Sequence, residues 1–162
     1  GGVVTAVTGA VALLRDDRPC DLRYELALDG GDVSLTVTVD DAGRLVSHSA
    51  ELWSGRWSFD GLDRPDLDGF GAIDLGFTPA TNAVPIRALG LDVGGRATVR
   101  AAWLRWPELD LVADEQTYTH LAEGRWRYES GAYAFDLEVD ERTGVVLAYG
   151  DDLWRGVMSD PR

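Results

Sequence analysis

The chain has 162 residues, and its 45% hydrophobic and 27% charged content is typical of a folded globular protein and excludes a disordered segment. At this length we expect one domain covering residues 1–162. The net charge of −13 repels the phosphates of nucleic acids and anionic membranes, so we expect no nucleic-acid partner, and no apolar run is long enough for stable membrane insertion.

The single cysteine, Cys20, excludes an intramolecular disulfide and gives no reason to expect an oxidising compartment. A cytoplasmic location is therefore the expectation. The two histidines, His48 and His120, and Cys20 are well separated in the sequence, whereas zinc favours clustered ligands. No Gly-x-Ser-x-Gly motif presents a nucleophile. We therefore predict no catalytic residues, no metal site and no cofactor.

Alternating apolar residues mark successive strands in the first part of the chain. Residues 20–28 alternate up to an Asp-Gly-Gly-Asp turn, and residues 33–39 alternate after it, which predicts a hairpin. A turn at 40–43 and strands at 44–52 and 56–59 follow. Closely spaced strands joined by Asp/Gly turns are typical of an antiparallel meander.

The second part of the chain continues this pattern after an exposed loop at residues 60–68 and a distinct central segment. The further predicted strands are residues 97–106, 109–113, 116–121, 125–129, 133–139, 145–149 and 153–157. About a dozen short strands without helical periodicity predict an all-β antiparallel fold and disfavour a parallel α/β fold.

The central segment, residues 67–89, reads LDGFGAIDLGFTPATNAVPIRAL and combines prolines, an Asn and an Arg with apolar residues. Pro79 and Pro85 fix their own φ and push the residues before them toward extended conformations. This predicts a stiff, irregular and non-helical backbone over residues 77–86.

Arg87 needs an oxyanion partner because its neighbours in the sequence are apolar. Asp74 is the nearest acid placed to pair with it, and Asn82 lies between the two prolines. Two roles remain open for Arg87: an ion pair that holds the segment to the sheet, or contact with a ligand.

This segment resembles the most recognisable run of a bacterial glycolipid-binding family long carried as a domain of unknown function. The matching positions, in the order of the family's motif, are Leu67-Asp68-Gly69, Asp74-Leu75, Thr78-Pro79, Thr81-Asn82 and Pro85-Ile86-Arg87. The chain departs from the family at Ala88, where a second Arg is usual, and at Phe70, where a Cys is common. The resemblance implies a long meander curled into a spiral roll or open barrel, similar to bacterial lipoprotein carriers, and a glycolipid or related lipid as ligand.

Aromatic side chains are more numerous than one core of this size needs, and they either fill the interior or line a cavity for an apolar ligand. The predicted function is non-catalytic binding of an amphipathic molecule inside the roll, with its head near Asn82 and Arg87. The candidate ligand-binding residues are Asp74, Asn82, Arg87, Trp57, Trp103, Tyr118 and Tyr128.

Two alternatives belong to other functional classes. One is a small enzyme acting on a lipid-like substrate, with acid, base and anion-holding groups drawn from Asp74, Arg87, Tyr118 and His120. The other is a protein-interaction module that presents an apolar patch or an open strand edge.

Overall fold

Two β-sheets make up most of the protein in the computed structural model, which describes residues 5–151 and 153–155. The all-β prediction is confirmed. The strands in the described residues are β1 (Thr5–Arg15), β2 (Arg18–Asp29), β3 (Asp32–Asp41), β4 (Arg44–Trp53), β5 (Arg56–Phe59), β6 (Leu62–Asp63), β7 (Ala72–Leu75), β8 (Arg96–Leu104), β9 (Leu111–Ala122), β10 (Arg125–Ser130), β11 (Tyr133–Val139), β12 (Val146–Tyr149) and β13 (Trp154–Arg155).

The first sheet contains β1 to β6 in sequence order, and each strand is antiparallel to the next. Asp29 pairs with Asp32 at the tip of the β2–β3 hairpin, as the Asp-Gly-Gly-Asp turn predicts. Alternate residues of β2 and β3 are buried, so one face of this meander carries the apolar side chains and the other faces water.

The second sheet is a curled half-barrel with the strand order β13-β12-β11-β10-β9-β8-β7. All of its neighbouring strands are antiparallel except β7 and β8, which run parallel. A parallel pair needs a crossover connection. Here the crossover contains two short helices, a 3-10 helix at Pro79–Asn82 and helix α1 at Ala83–Leu89.

The prediction of a non-helical backbone over residues 77–86 is therefore wrong. Both prolines lie in the first turn of a short helix, where the missing N–H would have no intrahelical partner. Thr78 is extended, as predicted for a residue before proline, and its hydroxyl accepts a hydrogen bond from the amide of Ala80. Val84 also precedes a proline but lies within α1. Gly90 ends α1 in the left-handed conformation, with a φ of 52°.

Two further sequence-based boundaries change. The predicted strands at 109–113 and 116–121 form the single strand β9, and the predicted exposed loop at 60–68 contains β6 and a 3-10 helix, Pro65–Leu67, whose Leu67 is fully buried. In β8 the consecutive residues Ala101 and Ala102 are both buried, so both faces of the strand are covered at this point. The last predicted strand extends to residues 156 and 157, which lie outside the described residues.

Two apolar clusters fill the interior of the protein. The larger cluster packs the buried face of the first sheet against β7 and against residues of β8 and β9. The smaller cluster lies on the half-barrel, where Ile86 of α1 packs with residues of β9 to β12. Of the helices in the described part of the chain, none has the length and apolar content that a membrane crossing requires.

Candidate functional site

An open groove of about 450 Å³ lies where β8 extends beyond β7. β7 pairs with β8 only from Ala101 to Leu104, so residues 96–100 of β8 have no strand on that side. Helix α1 forms one wall of the groove and the β2–β3 hairpin contributes the other. The larger apolar residues of its lining are Leu28, Val33, Ile73, Val84, Leu89 and Val99.

Arg100 is the one charged residue among the described residues that line this groove. Its guanidinium carbon lies 4.1 Å from the centroid of the Phe70 ring, and its Nε lies 3.8 Å from Glu115 Oε1. Gly69, at a φ of +81°, leaves room for the guanidinium, because an added Cβ there would lie 3.3 Å from Arg100 Nη1. Stacking on an aromatic face fixes the plane of the guanidinium.

A buried tryptophan holds the segment on which Arg100 stacks. The indole Nε1 of Trp57 donates a 2.7 Å hydrogen bond to the carbonyl of Phe70, and only 2% of Trp57 is exposed. The amide of Gly71 donates to the carbonyl of Arg100. The first sheet, through Trp57, therefore positions the edge of a groove that is built largely on the second sheet.

A buried hydrogen-bond network lies next to the groove along β7 and centres on Asp74. Asp74 is 8% exposed, and its Oδ1 accepts hydrogen bonds from the Thr81 hydroxyl at 2.8 Å and the Leu75 amide at 2.9 Å. Its Oδ2 accepts from Nε2 of Gln116 at 2.7 Å. Ala72 and Ile73, directly before Asp74, line the groove.

The network continues from Gln116 to the crossover helices. The Tyr118 hydroxyl donates to Oε1 of Gln116 at 3.2 Å, and the Asn82 side-chain amide donates to the Tyr118 hydroxyl at 2.8 Å. Asn82 immediately precedes α1, whose Val84 and Leu89 line the groove. These bonds tie the α1 wall to the middle of β9. We call Asp74, Thr81, Asn82, Gln116 and Tyr118 the β7–β9 network.

Burial dominates the electrostatics of this region. It raises the pKa of Asp74 above its usual value, although the hydrogen bonds from Thr81, Gln116 and Leu75 act in the opposite direction. None of the ion pairs among the described residues involves Asp74. Burial, and after it the charge of Asp74, also raises the phenol pKa values of Tyr118, Tyr128 and Tyr149.

This arrangement suits positioning better than acid–base chemistry. Both oxygens of Asp74 already accept hydrogen bonds from the protein, and the rings of Tyr118 and Tyr128 pack edge to face with centroids 5.4 Å apart. The enzyme alternative also used His120, whose Nδ1 donates to the Leu91 carbonyl at 2.7 Å and whose ring stacks on Trp126. No three His, Cys, Asp or Glu side chains in the described part of the chain lie close enough to hold a metal ion.

Comparison with known proteins identifies the family. A sequence model of the family described as "Putative glycolipid-binding" matches residues 3–155, which is nearly the whole chain. The chain belongs to this family. The chain is similar to a solved structure of a DUF1089 family protein from Pseudomonas aeruginosa, with a TM-score of 0.79 and 28% identity over 95% of this chain and 92% of that one. No curated protein matches the chain.

The structure brings together four of the seven candidate residues predicted from the family motif and the aromatic content. Asp74, Asn82 and Tyr118 belong to the β7–β9 network, and Tyr128 packs against Tyr118. Trp57 lies in the core, where its indole N–H bonds to the Phe70 carbonyl. Contact of any of these residues with a ligand stays a prediction.

The remaining two candidates make no side-chain hydrogen bond to the network among the described residues, although Trp103 pairs with Asp74 in the β7–β8 register. Trp103 is partly exposed on β8. Arg87 is exposed in the last turn of α1, with its aliphatic stem against Gly144, where an added Cβ would lie 2.5 Å from Arg87 Cγ. The predicted ion pair between Asp74 and Arg87 does not form, because Asp74 bonds inside the half-barrel whereas the Arg87 guanidinium makes no ion pair within the described residues.

Two residues of the site, Arg100 and Gln116, were not among the candidates predicted from the sequence. Both lie in ordinary alternating strand sequence, and nothing in that pattern distinguishes them. The clue that was available for Gln116 is the amide at an inward position of a strand, since buried polar groups require partners. Arg100 had no such clue, because its role depends on how far β7 extends along β8.

Proposed function

We propose that the protein binds an amphipathic, lipid-like molecule, of the glycolipid type that the family description suggests, without acting on it chemically. The observation that carries this proposal is the apolar groove between α1, β7–β8 and the β2–β3 hairpin. Its volume of about 450 Å³ falls in the range usual for sites that take small organic ligands. The apolar part of the ligand lies along Ile73, Val84 and Val99 in this proposal.

The buried polar groups support this function by fixing the walls of the groove. In our proposal Asp74, Asn82 and Tyr118 act by holding α1 against β9, and Trp57 acts by holding Phe70. A groove whose walls are already fixed loses little conformational entropy when a ligand binds, which favours affinity. Arg87, on the exposed side of α1, is available to a ligand head that extends beyond the groove.

A groove-filling substitution tests the proposal. Gly71 lines the groove, and a Cβ added there meets no atom within 4 Å, so the first atom of a new side chain is accommodated and Gly71→Leu adds bulk at the groove lining. Wild type is titrated with dodecyl maltoside below its critical micelle concentration, and bound ligand is counted by native mass spectrometry. We expect Gly71→Leu to weaken binding at least about tenfold, since the bulk excludes part of the apolar chain.

The matched control is Ala122→Leu, which adds a similar side chain at an exposed position at the end of β9. It should bind as wild type does. Equal binding by Gly71→Leu and wild type would place the ligand elsewhere. Absence of binding to dodecyl maltoside and to other C12 amphiphiles would overturn the proposal itself.

A further inference from the structure

We infer that the groove selects ligands with an anionic head, a phosphate or a carboxylate, and that Arg100 recognises this head. The inference rests on the proposed function and concerns the class of ligand that the same groove takes. Its basis is the position of Arg100, a fixed cation at the lining of an otherwise uncharged groove.

The hydrogen-bonding capacity of Arg100 is uncommitted. Its ion-pair partner Glu115 is 3.8 Å from Nε, which is too long for a hydrogen bond, and no hydrogen bond among the described residues involves its guanidinium. A guanidinium has five N–H donors. Those of Arg100 are therefore available to a ligand.

Two other arginines, in contrast, use their guanidinium N–H groups in hydrogen bonds to a carboxylate. Arg64 donates to both carboxylate oxygens of Asp66, at 2.9 and 2.7 Å. Arg105 donates in the same way to Asp110, at 2.8 and 2.6 Å. Arg100 instead lies over the face of the Phe70 ring, which holds the guanidinium plane, and no described residue accepts a hydrogen bond from its N–H groups.

The N–H donors of the Arg100 guanidinium determine which head group the groove can bind. A guanidinium binds phosphate or carboxylate through two parallel N–H bonds, and such charge-assisted bonds are about twice as strong as neutral ones. The net charge of −13 repels anions at long range, so a favourable contact with an anionic head depends on local pairing with Arg100. An apolar groove with one arginine therefore fits a single-headed anionic amphiphile better than a neutral one.

The test compares three probes that share a C12 chain: dodecyl phosphate, dodecanoate and dodecyl maltoside, each below its critical micelle concentration. Isothermal titration calorimetry gives the affinity of wild type, Arg100→Gln and the control Arg23→Gln, whose Arg23 is exposed on β2. We expect wild type and Arg23→Gln to bind at least one anionic probe about tenfold more tightly than the maltoside. Arg100→Gln should lose this preference.

The outcomes separate the inference from the proposed function. Tighter binding of dodecyl phosphate supports a phosphate head, and tighter binding of dodecanoate supports a carboxylate head. Equal affinity for all three probes, unchanged in Arg100→Gln, would overturn the inference and leave lipid binding in place. Binding of none of the probes would overturn both. Circular dichroism verifies that each variant is folded. If Arg100→Gln misfolds, Arg100→Lys replaces it. Lysine should keep only part of the preference because it lacks the two parallel N–H donors of a guanidinium.

Discussion

The two sheets of this protein are stabilised in different ways. All six buried polar or charged residues of the described chain, Asp74, Thr81, Asn82, Gln116, His120 and Ser130, lie in the second half of the fold, and none lies in β1 to β6. The first sheet is stabilised mainly by its buried apolar face, with the Trp57 indole N–H bonded to the Phe70 carbonyl. The second sheet must also hold a helical crossover in one place, and directional hydrogen bonds do this where apolar contacts would permit several arrangements.

The largest effect expected from this comparison is in the apolar half. Leu35 is 1% exposed and lies in the larger apolar cluster, so Leu35→Ala should lower the free energy of unfolding by about 3 kcal/mol through lost burial and a residual cavity. Urea denaturation measures this. The exposed Leu45→Ala should change it by less than about 0.5 kcal/mol. A similar small loss at Leu35 would contradict the picture of a tightly packed first sheet.

A smaller effect is expected in the polar half from a substitution that conserves size. Gln116→Leu removes the donor to Asp74 Oδ2 and the acceptor of the Tyr118 O–H, so it should cost about 2 kcal/mol although leucine is the more apolar residue. The double variant Asp74→Leu/Gln116→Leu should be less destabilised than the sum of the two single variants, because no buried carboxylate remains. Strict additivity in this urea-denaturation cycle would show that the network is not a unit.

The smallest effect is a pH dependence below neutrality that centres on Asp74. Burial raises the pKa of Asp74, so the folded state favours its protonated form. The stability from this group is fully present below the unfolded pKa, near the usual value for Asp, and is lost as pH rises through the folded pKa. Wild type should therefore gain stability relative to Asp74→Asn on acidification from pH 7, by at most about 1.4 kcal/mol per pH unit.

Comparison with Asp74→Asn in paired denaturation curves is essential because other carboxylates act in the opposite direction. The pKa values of Asp66 and Asp110 are lowered, chiefly by hydrogen bonds from Arg64 and Arg105, and both variants retain these pairs. A difference between the two proteins that is constant with pH, or that shrinks on acidification, would contradict a raised pKa for Asp74.

The same contrast explains how much the sequence predicted. Alternation in β2 and β3 reports which face is buried, so it sufficed for the hairpin and the meander. The sequence did not predict helix α1. Pro85 lies in the first turn of α1, where proline is tolerated, but a proline indicates a helix break unless the start of the helix is already known. The parallel pairing of β7 with β8 is a long-range contact that leaves no local pattern.

The candidate site was predicted in part for a related reason. The resemblance to the family motif selected Asp74 and Asn82, and aromatic content selected Tyr118, and the structure joins these residues in one network. The partner of Asp74 could not be deduced, since Gln116 is 42 positions away in the sequence and an arginine in the same segment was the obvious alternative. Only the three-dimensional arrangement distinguishes an arginine that is hydrogen-bonded within the protein from one whose N–H donors can reach a ligand.

Strand β7 links the two halves, and this bears on how the protein unfolds. Its Ile73 and Leu75 belong to the larger apolar cluster, while the side chain of Asp74 between them lies in the β7–β9 network. Local opening of β7 would therefore disrupt both at once, so the amide hydrogen of Leu75, which bonds to Asp74 and Thr81, should exchange with solvent deuterium only on global unfolding. Despite having two interiors, the protein should then behave as a single cooperative unit.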